Sequence, residues 1–404
     1  MTKIVLLLFL CASLFAQDEG TMPGAAKTEP GEPKNDYGYV GIPVVGYASG
    51  FGTGFGAVGS FYRKEADISP YKYEIDGQIY FMTSGMQSHR LRFDYLDVLD
   101  MPLRIRSLAG LLVMPNENYC GQGMRANCAV LNANPNYYLT RYWEAFGTID
   151  GRWRLRPMPH KVEIIASWRG SFYQQGTFSE KGAYADSLYE KDFGSNDGSG
   201  FASVLEAGIL IDNRDFEPSP TSGYWLEATM REASPFWGSS WSYLGVNLSL
   251  RGYVPLIPNK RLVLASQIIF DAMAGKAPLQ EIVRVGGTTR YYNTFGGQDV
   301  GRGLREQYFP GRLKAYKQFE LRYNFVNFKL WKWDFDLAAA SFADLGLVAW
   351  DRSTLDQEPF EPSLGFGGGL RIMWDKAVVL RFDVGTSPIE QYSPRFYFVI
   401  GNVF

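Results

Sequence analysis

The chain is poor in the residue types on which nucleic-acid binding, metal binding and helical membrane spans depend. Its 404 residues include two histidines and three cysteines, and 40 Lys and Arg against 42 Asp and Glu give a formal net charge of −2. A nucleic-acid partner requires clustered basic surface, which this balance argues against. Beyond the N-terminal segment, no apolar run reaches the ~18 residues that a membrane-spanning helix needs. The sequence therefore predicts neither a nucleic-acid-binding protein nor a helical membrane protein.

The N-terminal segment MTKIVLLLFLCASLFAQDEG is typical of an export signal. Lys3 precedes an apolar run that is too short to span a membrane, and small residues follow it. We therefore predict a signal peptide over residues 1–16, which removes Cys11 with it. Residues 17–36 are rich in proline, glycine and charge and predict a disordered periplasmic leader.

After removal of the predicted signal peptide, two cysteines remain. They are Cys120 and Cys128, which enclose the polar segment GQGMRAN. In an oxidising compartment such a pair predicts a disulfide that staples a loop. The spacing differs from that of a CxxC motif, and no histidine lies nearby in the sequence. We therefore predict no metal site and no cofactor.

Alternating segments of about ten residues fill the chain from Tyr37 to Phe404, as in strands with two different faces. In AVVLRFDVG (377–385), one parity carries Val378, Leu380, Phe382 and Val384, and the other carries Arg381, Asp383 and Gly385. A soluble β-sandwich would bury the apolar face, and a barrel in a membrane would turn it to lipid. Aromatic residues at 16% and 44 glycines favour the barrel. Alternation alone leaves both folds open.

The connections between these segments favour the barrel because short and long ones alternate along the chain. The short ones are 220–223, 258–260 and the bend near Trp331, and the long ones are 117–136, 177–200 and 279–311. Short turns at one end and long loops at the other are typical of outer-membrane barrels. We therefore predict an all-β fold: a transmembrane antiparallel β-barrel of about 16 strands over residues 37–404, in the bacterial outer membrane.

Two further features suit the ends of such strands. The chain ends in RFYFVIGNVF, which predicts a last strand whose final residue, Phe404, is aromatic. Tryptophans occur at the predicted strand ends, where they would form an interfacial girdle. These tryptophans are at positions 225, 331, 333, 350 and 374.

Four blocks of the chain resemble the barrel domain of the bacterial surface antigen superfamily, which includes outer-membrane protein assembly factors, two-partner secretion transporters and patatin-fused barrels. The blocks are LIDNRDFEPSPTSGYWLEA (210–228), GRGLREQYFPG (301–311), QFELRYNF (318–325) and SFADLGLVAW (341–350), and they stand in family order. The first resembles the family's strand end and turn through Asp212, Arg214, Asp215, Pro220, Thr221 and Gly223. The second resembles the Arg-Gly-Phe/Tyr motif of the long sixth extracellular loop. Leu304 replaces the usual aromatic residue there, and Gly301 stands where the family often has valine.

The resemblance implies that residues 279–311, which we name loop 6, fold back into the lumen. It also implies that Arg302, flanked by Gly301 and Gly303, pairs with acidic residues of the wall. By parity, Glu320 and Asp344 lie on the polar face. The same face carries the remaining members of a lumen charge network: Arg322, Arg371, Arg381 and Asp383.

The resemblance implies a barrel that assists insertion or translocation of proteins, or that anchors a partner which does. The family's assembly factors and transporters receive clients through soluble domains before the barrel, whereas this chain offers the short leader at 17–36. We therefore expect a separate periplasmic or membrane protein as a possible partner, besides outer-membrane lipid and lipopolysaccharide. The alternative is a passive channel or a structural barrel without clients. An enzyme is not expected, since His89 and His160 fall at opposite membrane faces of the predicted barrel.

Overall fold

The structure is a computed structural model that describes twelve stretches of the chain. These are residues 36–48, 52–65, 68–127, 135–155, 161–177, 187–194, 198–217, 219–288, 294–330, 333–357, 361–374 and 378–404. The predicted signal peptide (1–16), the predicted leader up to residue 35, and Cys128 lie outside the described residues. The predicted disulfide between Cys120 and Cys128 therefore stays a prediction.

The described residues form one antiparallel sheet of 16 strands, in which each strand pairs with its neighbours in chain order. The first eight strands are β1 (Asp36–Ala48), β2 (Gly52–Glu65), β3 (Ile68–Met82), β4 (Gln87–Tyr95), β5 (Leu103–Asn118), β6 (Leu139–Arg154), β7 (Lys161–Thr177) and β8 (Gly200–Asp212). The second eight are β9 (Gly223–Ala233), β10 (Ser242–Pro255), β11 (Leu262–Lys276), β12 (Leu313–Leu330), β13 (Trp333–Ala349), β14 (Ser363–Trp374), β15 (Val378–Thr386) and β16 (Arg395–Ile400). Two short helices, α1 (Leu188–Phe193) and α2 (Leu279–Val283), lie between strands. No helix among the described residues is long and apolar enough to cross a membrane.

Strand β10 carries opposite chemistry on its two faces. Leu244 and Val246 are about half exposed, whereas Asn247, Ser249 and Arg251 on the other parity are buried. A protein surrounded by water would bury the leucine and expose the arginine. Since the apolar side faces outward here, the surrounding medium is lipid and the polar side encloses the lumen. The predicted transmembrane barrel is thus confirmed.

The long connections lie at one end of the sheet. They join β5 to β6 (119–138), β7 to β8 (178–199) and β11 to β12 (277–312), while the opposite end has shorter connections such as 96–102 and 256–261. The long connections pack on one another through two buried clusters. The first includes Cys120 and Ala126 together with Phe295 and Tyr308 of loop 6. The second includes Tyr119 and Tyr189 together with Leu279 and Val283. The lumen is therefore capped at the end that carries loop 6.

The last strand ends earlier than the sequence suggests. β16 stops at Ile400, and Gly401 adopts a φ of 103°, in the left-handed region that favours glycine. The chain then leaves the sheet, and Phe404 is buried in a cluster with Tyr253 and Val263 of the inner wall. The prediction that Phe404 ends the last strand is therefore wrong, because the left-handed glycine turns it into the lumen. Among the described residues, no hydrogen-bonded pairing joins β1 to β16.

One of the predicted girdle tryptophans also lies inside the barrel. Trp225 is 2% exposed, and the guanidinium carbon of Arg251 stands 4.3 Å from its ring centroid. This cation–π stack gives the indole a polar neighbour in the lumen, so its place at a strand end does not bring it to the lipid interface.

Candidate functional site: loop 6 in the lumen

Two glycines let the backbone of loop 6 turn so that Arg302 points at the barrel wall. Gly301 has a φ of 73° and Gly303 a φ of 102°, both in the region that side chains other than glycine rarely adopt. A Cβ at Gly303 would also lie 2.4 Å from the backbone of Thr386, and one at Gly301 would lie 2.7 Å from the amide nitrogen of Gly296. Close approach and positive φ therefore both require glycine on each side of the arginine.

Arg302 is fully buried and donates hydrogen bonds to three carboxylates of the wall. Its Nε and Nη2 bind the two oxygens of Asp344 at 2.9 and 2.8 Å, and its backbone amide binds Asp344 at 3.0 Å. Its Nη1 donates to Glu320 at 2.5 Å and to Asp383 at 3.2 Å. The guanidinium carbon also lies 3.6 Å from the ring centroid of Phe342. The planar fork of arginine suits this site because it can bind one carboxylate with two donors and still reach a second acid.

The wall beneath this contact is built of glycine. A Cβ on Gly365 of β14 would lie 2.0 Å from the carbonyl oxygen of Arg302, and one on Gly385 of β15 would lie 2.8 Å from the amide nitrogen of Gly303. The loop backbone therefore rests directly on the sheet. Sequence reasoning did not assign these wall glycines a role, although the run LGFGGG at 364–369 was a visible signal.

The other residues of the predicted charge network surround the same point. Arg371 donates to Asp383 at 2.5 Å and to Glu320 at 3.1 Å, so it joins two of the acids that bind Arg302. Arg322 donates to Glu320 at 2.7 Å. Arg381 donates to Asp299 of loop 6 at 3.0 Å, an acid that sequence reasoning missed. Four guanidinium groups thus meet four carboxyl groups in this buried cluster, and Arg322 also donates to the backbone oxygen of Phe404 at 2.9 Å.

The facing carboxylates explain how Arg302 stays ionised away from water. Burial alone would lower the pKa of its guanidinium, but the carboxylates of Asp344 and Glu320 raise it well above its usual value. Removing one partner of such a buried pair leaves an uncompensated charge, which costs about 3–5 kcal/mol. The ion pairs of Arg302 can therefore hold loop 6 against the wall, provided that the arginine and its carboxylate partners are all present.

The predicted strand-turn motif lies at the opposite end of the barrel, between β8 and β9. Asp212 binds the guanidinium of Arg214 at 3.0 Å. Asp215 accepts the backbone amides of Thr221 and Ser222 at 2.9 and 3.1 Å. Partial burial would raise the pKa of the Asp215 carboxyl, but hydrogen bonds from the Thr221 hydroxyl and from these amides hold it below its usual range. This motif shapes the turn that joins the two strands. Its remaining members, Pro220 and Gly223, belong to the same turn and the strand start that follows it.

Leu304, which stands where the related motif usually has an aromatic residue, is fully buried. It packs with Phe295, Val300 and Tyr308 of loop 6 and with Tyr316 of the wall. An aliphatic side chain therefore fills the position in this chain, and the aromatic rings of the neighbouring loop residues complete the packing.

A lipid-facing antiparallel sheet around a polar lumen, with an extracellular loop fastened inside it, defines a class of bacterial outer-membrane barrel. Residues 158–404 match the Omp85 superfamily domain, and the chain belongs to this superfamily. The resemblance seen in the sequence is thereby confirmed. No curated protein sequence matches the chain.

Two solved structures show the same fold. A BamA from Haemophilus ducreyi lacking POTRA domains 1–3 is 14% identical, with a TM-score of 0.52 over 96% of this chain and 75% of that one. CdiB from Escherichia coli is 13% identical, with a TM-score of 0.57 over 93% of this chain and 62% of that one. The chain thus spans less than two thirds of the CdiB chain. At sequence identities this low, the structural similarity shows a shared fold alone. It does not show that this chain has the activities of those proteins.

Proposed function

We propose that this chain is an outer-membrane barrel that assists the insertion or translocation of polypeptides, or that anchors a partner which does, and that loop 6 holds its lumen closed. Omp85 membership supports the class of activity. The observation that carries the proposal is the burial of Arg302 among Asp344, Glu320 and Asp383. An extracellular loop fastened this way works as a latch.

A passive channel is the less favoured alternative, because loop 6 occupies the space that solutes would use. Residues 294–304 are buried throughout. Residues within 280–287, earlier in the loop, line a cavity of about 100 Å³ together with Glu144 and Arg169 of the wall. A cavity of this volume holds a few water molecules.

The edge of the sheet offers a place where a client could act. β16 has six residues and pairs with β15 along one side. On its outer face Phe396 is 77% exposed, and on β1 Tyr39 is 77% exposed. β1 and β16 are the terminal strands of the sheet among the described residues, and the edge of a sheet is a template for an incoming strand. This feature supports a role in handling polypeptide segments.

The proposal is tested in the native host by deleting the gene and complementing it. We expect the deletion to deplete particular outer-membrane or secreted proteins, with recovery by the wild type but not by Arg302→Ala. Arg352→Ala, which changes an exposed arginine on another extracellular connection, is the matched control and should complement. An unchanged protein inventory together with altered uptake of small solutes would instead establish the passive channel.

A further inference from the structure

The first half of loop 6 carries a second buried charge contact, on a different part of the wall. Helix α2 is buried along its whole length. Its Glu281 binds Arg169 of β7 through two hydrogen bonds of 2.6 Å. The hydroxyl of Tyr173 donates to the same carboxylate at 2.5 Å, and that of Tyr243 donates to its other oxygen. We name Glu281 with Arg169, Tyr173 and Tyr243 the Glu281 anchor.

The backbone that follows α2 is fastened to the same region. The amide groups of three successive loop residues donate to wall carboxylates. They are Gly286 to Asp271 at 2.8 Å, Gly287 to Glu206 at 2.7 Å, and Thr288 to Glu227 at 2.5 Å. Arg284 also binds Glu144 of β6 at 2.5 Å. Buried amide donors and buried carboxylates satisfy one another here, so this part of the loop is held by its backbone as well as by side chains.

The two contacts use different strands and opposite charges. The Glu281 anchor and the three amide contacts lie on β7–β11, with the Arg284 contact on β6. The Arg302 anchor, which we define as Arg302 with Asp344, Glu320 and Asp383, lies on β12, β13 and β15. In the first the loop supplies the acid, and in the second it supplies the cation. The two anchors share no residue.

The electrostatic environment of Glu281 matches that of a permanently charged anchor. Burial alone would raise the pKa of its carboxyl, but Arg169 and then Arg284 hold the pKa below its usual range. Like Arg302, Glu281 is therefore charged and compensated while the loop is seated.

We infer that loop 6 is a strut fastened to two parts of the barrel wall, and that Glu281 is a positioning residue for lumen closure that acts independently of Arg302. Releasing Arg302 frees the second half of the loop while the first half still obstructs the lumen. Opening of the lumen requires that the contacts of both anchors break. The inference rests on contacts of loop 6 and does not require that the barrel handle polypeptide, so a failure here and a failure of the proposed function are distinguishable.

Residue-resolved hydrogen exchange of the full chain in lipid nanodiscs tests the independence. Glu281→Gln should speed exchange of the amides of 286–288 by about tenfold or more, because a charge-assisted contact is lost. The amides of 302–304 should stay within about twofold of the wild type. Arg302→Ala should give the reverse pattern. Asp356→Asn, which removes an exposed acid from another extracellular connection, is the control and should change neither segment.

Conductance in planar bilayers supplies the second readout. Each single variant should stay near the wild-type conductance, and the double variant Glu281→Gln/Arg302→Ala should conduct. If the double variant fails to fold, as judged by heat-modifiable migration, Tyr243→Phe/Arg302→Ala weakens the same anchor by one hydroxyl group. The inference is overturned if either single variant loosens both segments alike, if Glu281→Gln leaves 286–288 protected, or if Arg302→Ala alone conducts as well as the double variant.

Discussion

Replacing Arg302 by alanine is expected to release the second half of loop 6. The structure indicates which carboxylate would lose its hydrogen-bond partner. Asp344 receives its hydrogen bonds from Arg302 alone among the described residues. Glu320 would keep Arg322 and Arg371 as partners. Asp383 would keep Arg371. The uncompensated charge left by Arg302→Ala is therefore concentrated on Asp344.

Leaving one buried charge without its partner costs about 3–5 kcal/mol. At 1.36 kcal/mol for each factor of ten, local opening of the loop should become roughly 150- to 5,000-fold more frequent. Native-state hydrogen exchange at the amides of Arg302, Gly303 and Leu304 measures this opening directly. The first of these amides binds Asp344, and the second binds the hydroxyl of Tyr397 at 2.9 Å, so both should be protected in the wild type.

A double-mutant cycle decides whether the charge pair is the cause. Asp344→Ala should also loosen the loop, and Arg302→Ala/Asp344→Ala should be no worse than the poorer single variant, because no unpaired charge remains at that position. Arg352→Ala controls for the loss of an arginine as such. Strictly additive effects of Arg302→Ala and Asp344→Ala would refute the reasoning, since they would mean that the two side chains do not act on each other.

Three further predictions follow from other parts of the structure. Gly385→Ala should unseat the loop around Arg302 and speed its exchange, since the new Cβ would lie 2.8 Å from the amide nitrogen of Gly303, whereas Gly252→Ala, with open space around the Cβ, should not. An epitope inserted within 184–196 should be labelled on intact cells, and labelling that appears only after permeabilisation would reverse the assigned topology. Unreduced protein should weigh two hydrogens less than the dithiol form if Cys120 and Cys128 are bonded, and two freely alkylated thiols would contradict this.

The sequence predicted most of the wall because strand geometry leaves little freedom. Side chains alternate between faces with a period of two, so Glu320 and Arg322 on β12 necessarily share the lumen with Asp344 on the paired strand β13. Pairing in chain order then fixes the neighbours of each strand. Arg302, which binds this wall, was predicted from the family resemblance. A loop has no regular alternation of side chains, so its sequence pattern does not show where the side chain of Arg302 points.

The parts that escaped prediction depend on contacts without a period. Loop 6 has no alternation, so nothing in residues 279–288 marked Glu281 as the partner of Arg169, which lies on a distant strand. Phe404 left the strand because Gly401 could adopt a left-handed turn. Trp225 is different, because it shares the inward-facing parity of β9 with Glu227 and Thr229. Its position at a strand end favoured the lipid interface, but the alternation of β9 places it in the lumen beside Arg251.

Planar-bilayer recording shows whether loop 6 closes the lumen of this barrel. The purified wild-type chain is compared with a variant in which a short hairpin turn replaces residues 279–311, and heat-modifiable migration shows that both are folded. We expect the wild type to stay closed for most of the recording and the variant to form a stable open pore. Equal conductance of the two proteins would mean that loop 6 does not close the lumen.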